Sequence, residues 1–319
     1  MQDPGSNRIR GFLLFVLIAI LLLVAAGCTA PRSPVEQDPD HTATPTPAPT
    51  GGGTATRTGM VAFVNEAVQY ARTEGKERAL AEFDKRNGSF FRGVLYIYAY
   101  NLSGTTIAHP VNPEKIGVNR LYETDARGNL FIRDLRDTVV AEGKGFVRYY
   151  YINPVHDNAV EAKLGYVETV DGEWWLGSGI YDDDSIPLVE GVPDRLVMFV
   201  RHAKAYSILD GKESALSAFN DMNGSFVRGD EYIFAYDYNG TTLAWPYRQD
   251  LVGTNRSNAT DPQGFAHVQA MIDAARTGSG VVNYVSPDPL GNDTPANKTS
   301  YVMDVDGNWF LGSGVYERG

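Results

Sequence analysis

The side chains of this chain that could do chemistry are a lysine, an imidazole and a set of tyrosines, and the set occurs twice with one exchange. In the first copy Lys163 could supply a positive charge, His109 an imidazole donor, and Tyr96, Tyr98, Tyr149 and Tyr151 hydroxyls above an aromatic wall. An anion held away from water needs such donors, because charge-assisted hydrogen bonds must replace its lost hydration. Taken singly, each tyrosine is more simply an ordinary sheet aromatic with its hydroxyl at the surface. The second copy keeps Lys298, Tyr232 and Tyr284, has Phe234 where the first has Tyr98, and puts Trp245 in place of His109, with Arg248 three residues further on. Two readings of that exchange are open. Either Arg248 replaces the imidazole and the second pocket takes a different anion, or Trp245 fills the pocket and the second copy is structural. The retained Lys298 favours a second, altered pocket.

Other chemistries find little support. The five histidines, His41, His109, His156, His202 and His267, show no zinc-ligand spacing, and neither a G-x-S-x-G nucleophile motif nor a carboxylate pair stands out. No catalysis, cofactor or metal is therefore expected. Gly177-Ser178-Gly179 and Gly312-Ser313-Gly314 look like phosphate loops, yet no helix follows to present amide groups, so they read as small residues on a packed strand. Asp182 to Asp184 read as an acidic linker rather than a calcium site.

The elements that must position these side chains are themselves duplicated. Residues 87–93 read NGSFFRG and 223–229 NGSFVRG; residues 171–181 read DGEWWLGSGIY and 306–316 DGNWFLGSGVY. Each copy opens with an amphipathic stripe, Val61, Val64, Val68 and Ala71 in the first and Val197 and Val200 in the second, which predicts a helix broken at Gly75 or Gly211. A shorter segment then ends at Phe83 or Phe219. Aromatic strands are predicted over 94–100 and 231–236, followed by a turn and a strand ending at Pro110 or Pro246. A second helix carries Ile132, Leu135 and Val139, or Val268, Met271 and Ala275, and is expected to close at Gly145 or Gly280. Three more strands end in a hairpin through Asp171-Gly172 or Asp306-Gly307. The order describes an α+β unit with an antiparallel sheet and helices on one side of it.

The 319 residues suffice for two such units, and 43% hydrophobic content suffices for two cores. A net charge of -11, with no basic cluster, argues against a nucleic-acid partner. At the N-terminus Arg8 and Arg10 precede the apolar run 11–27 and then Cys28, the only cysteine. This resembles a lipoprotein leader with Cys28 as the lipidated residue, and it places the body outside the cell, anchored to the membrane. An uncleaved anchor helix is the alternative. Residues 29–58 are rich in Pro, Thr, Ala and Gly, a composition that cannot order itself and reads as a spacer.

In both copies the order of residues resembles the Cache domain, an extracytoplasmic sensor family, in its single form of the second type. The first copy offers Tyr96, Tyr98, Tyr100, Gly104, Ala108-His109-Pro110, Gly117, Asn119, Gly145, Tyr149, Lys163, Tyr166 and the segment from Trp174 to Tyr181. The second offers Tyr232, Phe234, Tyr236, Gly240, Ala244, Pro246, Gly253, Asn255, Gly280, Tyr284, Lys298, Tyr301 and the segment from Trp309 to Tyr316. The resemblance implies two PAS-like domains, 59–182 and 195–319 joined by a linker 183–194. Each would be a five-stranded antiparallel sheet with a long N-terminal helix and a second helix. It also implies a small extracellular ligand, often a short carboxylate, held by the residues named above together with Tyr166 and Tyr301, and it leaves a homodimer open. No transmitter follows the second closing strand, so a signalling or transport partner is expected. The rival expectation is an envelope spacer or adhesion protein with both pockets filled by side chains.

Overall fold

In the computed structural model residues 55–153, 156–157, 159–181 and 186–318 are described. The leader, Cys28, nearly all of the 29–58 spacer and Asp182 to Asp184 lie outside the described residues. The first repeat begins with α1 (Arg57–Glu74), capped by the Thr56 hydroxyl, which accepts from the Gly59 amide at 3.0 Å. Its buried face is Met60, Phe63, Val64, Ala67, Val68 and Ala71, the i, i+3, i+4, i+7 stripe of a helix with one face on a core. Gly75, at φ 82° and ψ 158°, takes a conformation that side-chain-bearing residues avoid, and α2 (Lys76–Phe83) starts in a new direction. Gly211, at φ 85°, does the same between α4 (Asp194–Asp210) and α5 (Lys212–Asn220).

The aromatic segment expected as one strand over 94–100 is two. Strand β1 (Phe91–Arg92) pairs with β2 (Leu95–Tyr96), and β3 (Tyr98–Asn101) then enters the main sheet. With β4 (Thr106–Ala108), β5 (Lys144–Asn153), β6 (Ala159–Thr169) and β7 (Trp174–Tyr181), the antiparallel sheet has the order β4-β3-β7-β6-β5. The second repeat reproduces it. After the small hairpin of β8 (Val227–Arg228) and β9 (Glu231–Tyr232) come β10 (Phe234–Asp237), β11 (Thr242–Ala244), β12 (Ser279–Asp288), β13 (Thr294–Asp304) and β14 (Trp309–Tyr316), in the order β11-β10-β14-β13-β12.

Helices cover both faces of each sheet, which corrects the expectation of one. Helix α1 packs on Ile97, Ala99, Leu164, Tyr166, Trp174, Leu176 and Ile180. The opposite face, with Tyr98, Tyr100, Val147, Tyr149, Val167 and Trp175, lies under Phe131, Ile132, Leu135 and Val139 of α3 (Phe131–Glu142). The reason is legible in β7, where Trp174, Trp175 and Leu176 are consecutive and all buried; a strand wet on one side would alternate. Helix α3 also closes earlier than Gly145. Gly143, at φ 77°, forms a left-handed cap and donates to the Val139 carbonyl, whereas Gly145 lies in β5, where a Cβ would meet Thr138 at 2.7 Å. In the second repeat α6 (His267–Arg276) likewise ends before Gly280.

Both repeats belong to one compact unit, and α4 packs against α3. Arg201 of α4 pairs with Glu142 and donates to the Phe146 carbonyl at 2.9 Å. The Asp137 carboxylate, 1% exposed, sits between Arg136 at 2.6 Å and the His202 imidazole at 2.6 Å. Removing a buried carboxylate from such a pair leaves the partner cation uncompensated. Asp137→Ala is therefore expected to cost about 3–5 kcal/mol in urea denaturation.

Candidate ligand site

The site is laid out by strand register. On the α3 face of the first sheet, Lys163 of β6 lies directly between Tyr149 of β5 and Tyr181 of β7. On the equivalent face of the second sheet, Lys298 lies between Tyr284 and Tyr316. Glycines make room for the lysine stems: a Cβ on Gly179 would come within 2.9 Å of Lys163 Cε, and one on Gly314 within 2.6 Å of Lys298 Cε. The Gly-Ser-Gly segments are thus gaps in a packed strand that admit a buried lysine.

Both lysines are almost wholly buried. Lys298 Nζ donates to the hydroxyls of Tyr232 at 3.0 Å and Tyr316 at 3.1 Å, and Lys163 Nζ reaches Tyr96 at 3.5 Å among the rings of Tyr96, Tyr151 and Tyr181. Loss of hydration pushes the Lys298 ammonium down to about 7 and the Lys163 ammonium down to about 8. Beside Lys163, the His109 Nδ1 accepts from the Asn112 amide at 3.1 Å, so a neutral ring carries its proton on Nε2. Burial first, and then the charges of Arg120, Lys163 and Lys115, push His109 down to about 3, which keeps it neutral.

Of the residues expected in the first pocket, Tyr96, Tyr98, His109, Tyr149, Tyr151 and Lys163 come together, but they enclose only about 20 Å³, the space of roughly one water. Phe131 and Tyr151 occupy the rest, with ring centroids 6.1 Å apart. In the second repeat the equivalent positions hold His267 and Ser286, and the same face encloses about 380 Å³, within the range of small-molecule sites. Tyr232, Phe234, Trp245, Arg248 and Tyr284 line this cavity. Trp245 therefore forms a wall and does not fill the space. Lys298 stands one layer behind, against Tyr232 and Tyr316. Tyr166 and Tyr301 are corrections. Each points to the opposite face of its sheet, into the core beneath α1 or α4, because it lies an odd number of positions, three, along the strand from the lysine and strand side chains alternate.

Arg248 already has a partner within the second repeat. Its guanidinium, 45% exposed at the cavity edge, is engaged by Asp250 at 2.8 Å. The cation that matters is one the sequence reading passed over, Arg256, in Gly253-Thr254-Asn255-Arg256. Its counterpart Arg120 follows Gly117-Val118-Asn119, so a Gly-x-Asn-Arg repeated in both copies was the available signal. Arg120 is buried and fully engaged: Nε and Nη2 reach the two oxygens of Glu123 at 2.5 and 2.6 Å, and Nη1 the Tyr100 hydroxyl at 2.5 Å. Half-buried Arg256 lines the large cavity with its guanidinium 5.3 Å from the Trp245 ring, and it has no hydrogen bond or ion pair to a side chain among the described residues. The Arg256 Nε and the His267 Nδ1 are both buried without a partner. The His267 ring stacks on Tyr284 at 5.0 Å. Asp261 also lines the cavity, but its oxygens accept the amides of Gln263, Phe265 and Val285. The arrangement offers an anion a free guanidinium, an imidazole and tyrosines in an aromatic enclosure. Among the described residues no group of side chains is assembled that could hold a metal ion.

Among the described residues no helix is long and apolar enough to cross a membrane. Over 88 residues the chain is 34% identical to a sensor histidine kinase of Rhizobium johnstonii, a stretch that is 27% of this chain and 19% of that protein. Over 89 residues it is 36% identical to a methyl-accepting chemotaxis protein of Pseudomonas putida, 27% of this chain and 16% of that protein. The chain thus matches less than a fifth of the length of either relative. Among solved structures it is similar to a Cache chemosensory domain described for its recognition of carboxylic acids, at 27% identity over 39% of this chain and 87% of that one, with a TM-score of 0.32. The family model of the Cache domain, an extracytoplasmic ligand-binding sensor domain, matches residues 69–319. That span takes in both sheets and the whole of the large cavity's lining, and the chain belongs to the Cache domain family.

Proposed function

We propose that this chain is the ligand-binding part of an extracytoplasmic sensor, tethered through its N-terminus, and that it binds a small carboxylate in the cavity of the second repeat. The observation that carries the reading is Arg256, a cation lining a cavity of about 380 Å³ with no carboxylate of its own. A guanidinium presents its donors in a fork that matches a carboxylate, and an unpartnered buried N–H is costly until a ligand accepts from it. The ligand's oxygens would meet Arg256 and His267, and its short apolar part the rings of Trp245, Phe234 and Tyr284. The first repeat, whose equivalent space is filled, serves in this reading as scaffold, and a signalling or transport partner reads the outcome.

Titration calorimetry and thermal unfolding with acetate, propionate and longer carboxylates, with methylamine as the cationic control, test this. A carboxylate at a hundredfold excess over its dissociation constant should add about 2.7 kcal/mol. Arg256→Gln should weaken that binding roughly ten- to a hundredfold, the value of a hydrogen bond to a charged group. If no carboxylate binds, or the variant binds as well as the parent, the reading is wrong.

The lysine behind the cavity adds a pH dependence. Unfolded, Lys298 keeps its proton up to its ordinary value of 10.5; folded, it keeps it only to about 7. Between those values the unfolded chain binds more protons, so stability at this site rises with pH across the window. Lys298→Met should flatten that rise: measured from pH 6 to pH 10 in urea, its stability relative to the parent is highest at pH 6 and declines toward pH 10. A constant difference across that range would show that burial does not discharge the lysine.

A further inference from the structure

The two repeats differ at the arginine in a concerted way. In the first, Glu123 engages the Nε and Nη2 edge of Arg120 with both oxygens, and Lys115 stands 3.6 Å from the same carboxylate. In the second, the position of Glu123 is Ala259 and that of Lys115 is Leu251, while the arginine and its tyrosine, Arg256 and Tyr236, are kept. Had the arginine been retained only for an ion pair within the fold, loss of the glutamate would have left a purely unfavourable half-buried charge. The edge that Glu123 covers is the one a guanidinium offers to a carboxylate in fork-to-fork pairing. Beyond its Cβ, moreover, a glutamate side chain is a methylene and a carboxylate, the size and charge of an acetate ion.

We propose that Glu123 is a tethered surrogate ligand. Its carboxylate holds in the first repeat the position on Arg120 that a free carboxylate takes on Arg256 in the second, so the residue at 123 or 259 decides whether the arginine fork of a repeat is self-occupied or open, while Phe131 and Tyr151 fill the rest of the first repeat's space. The proposal rests on the reading of Arg256 as a carboxylate anchor. It adds that the first repeat is held by its own side chain in a liganded arrangement.

Three variants test it in the full chain. Glu123→Ala exposes the fork of Arg120 and leaves a space of acetate's size. Its unfolding midpoint should fall below that of the parent and be restored by acetate at tens of millimolar, but not by chloride at equal ionic strength. Glu123→Gln, which keeps the volume, should lose stability without regaining it in acetate. Conversely, Ala259→Glu should leave the chain folded and weaken the parent's carboxylate binding by about tenfold or more, since a tethered group competes at millimolar or higher effective concentration. Equal response of the Glu123→Ala and Glu123→Gln variants to acetate, or undiminished carboxylate binding by folded Ala259→Glu, overturns the proposal. The two readings fail separately. A parent that binds no carboxylate removes the function assigned to Arg256 while acetate rescue of Glu123→Ala can still be read. A parent that binds through Arg256, with no effect of Ala259→Glu, removes only the surrogate ligand.

Discussion

A cation withdrawn from water must be given an anion, a set of dipoles or a ligand, and each repeat sets a lysine and an arginine on the face beneath its second helix. The ammonium of Lys298 is met by two tyrosine hydroxyls and aromatic faces, which leave it easily discharged. That solution suits lysine, which can shed its proton. An arginine cannot, so Arg120 is met by a full carboxylate and a hydroxyl. For Arg256 the described residues supply the Trp245 face and a cavity, with no side-chain hydrogen bond or ion pair among them. Much of the second repeat's distinct character follows from that one missing partner.

The lysines can be buried because the sheets are covered on both sides. With α1 or α4 behind and α3 or α6 in front, Lys163 of β6 and Lys298 of β13 lie almost wholly buried in the middle of their strands. The neighbouring strand must then be hollowed to receive each. Gly179 and Gly314 do this directly, and Gly177 and Gly312 do so for the rings ahead of them: a Cβ there would meet Tyr98 at 3.0 Å and Phe234 at 2.8 Å. Trp174 and Trp309 meanwhile fill the rear cores, and on the front face of the same eight-residue strand the two glycines lie bare between Trp175 and Tyr181, or between Phe310 and Tyr316.

Much of this was legible in the chain. The repeat, the broken opening helix, the antiparallel strands and the gathering of Lys163, His109 and the tyrosines all follow from local patterns that tertiary contacts reinforce. The helix ends were misjudged because Gly145 and Gly280 are small for packing, whereas Gly143 is the residue that takes the left-handed cap. Tyr166 and Tyr301 were misplaced because motif order ignores the two-residue period that decides a strand side chain's face. The cavity itself was not readable from any one residue. It arises where Tyr151 gives way to Ser286 and Phe131 to His267, on two elements whose juxtaposition only the fold supplies. The exchange of His109 for Trp245 left a filled and an altered pocket both open, because residue size says nothing of which wall the ring lies along.

Filling and restraint go together in the two repeats. Helix α3, which lies over the filled face of the first repeat, is gripped from outside: Asp137 and Glu142 hold His202 and Arg201 of α4, and the α3 residues between are buried or half-buried. Helix α6, which puts His267 and Met271 into the cavity, exposes Gln269, Asp273 and Arg276 on its far side, and the Gln269–Asp273 hydrogen bond at 2.9 Å stays within the helix. A helix packed on one face shifts at lower cost than one packed on two, since fewer close contacts are exchanged. The repeat with room for a ligand is thus also the one whose covering helix is less restrained, and the repeat closed by its own residues supplies a fixed surface for α4.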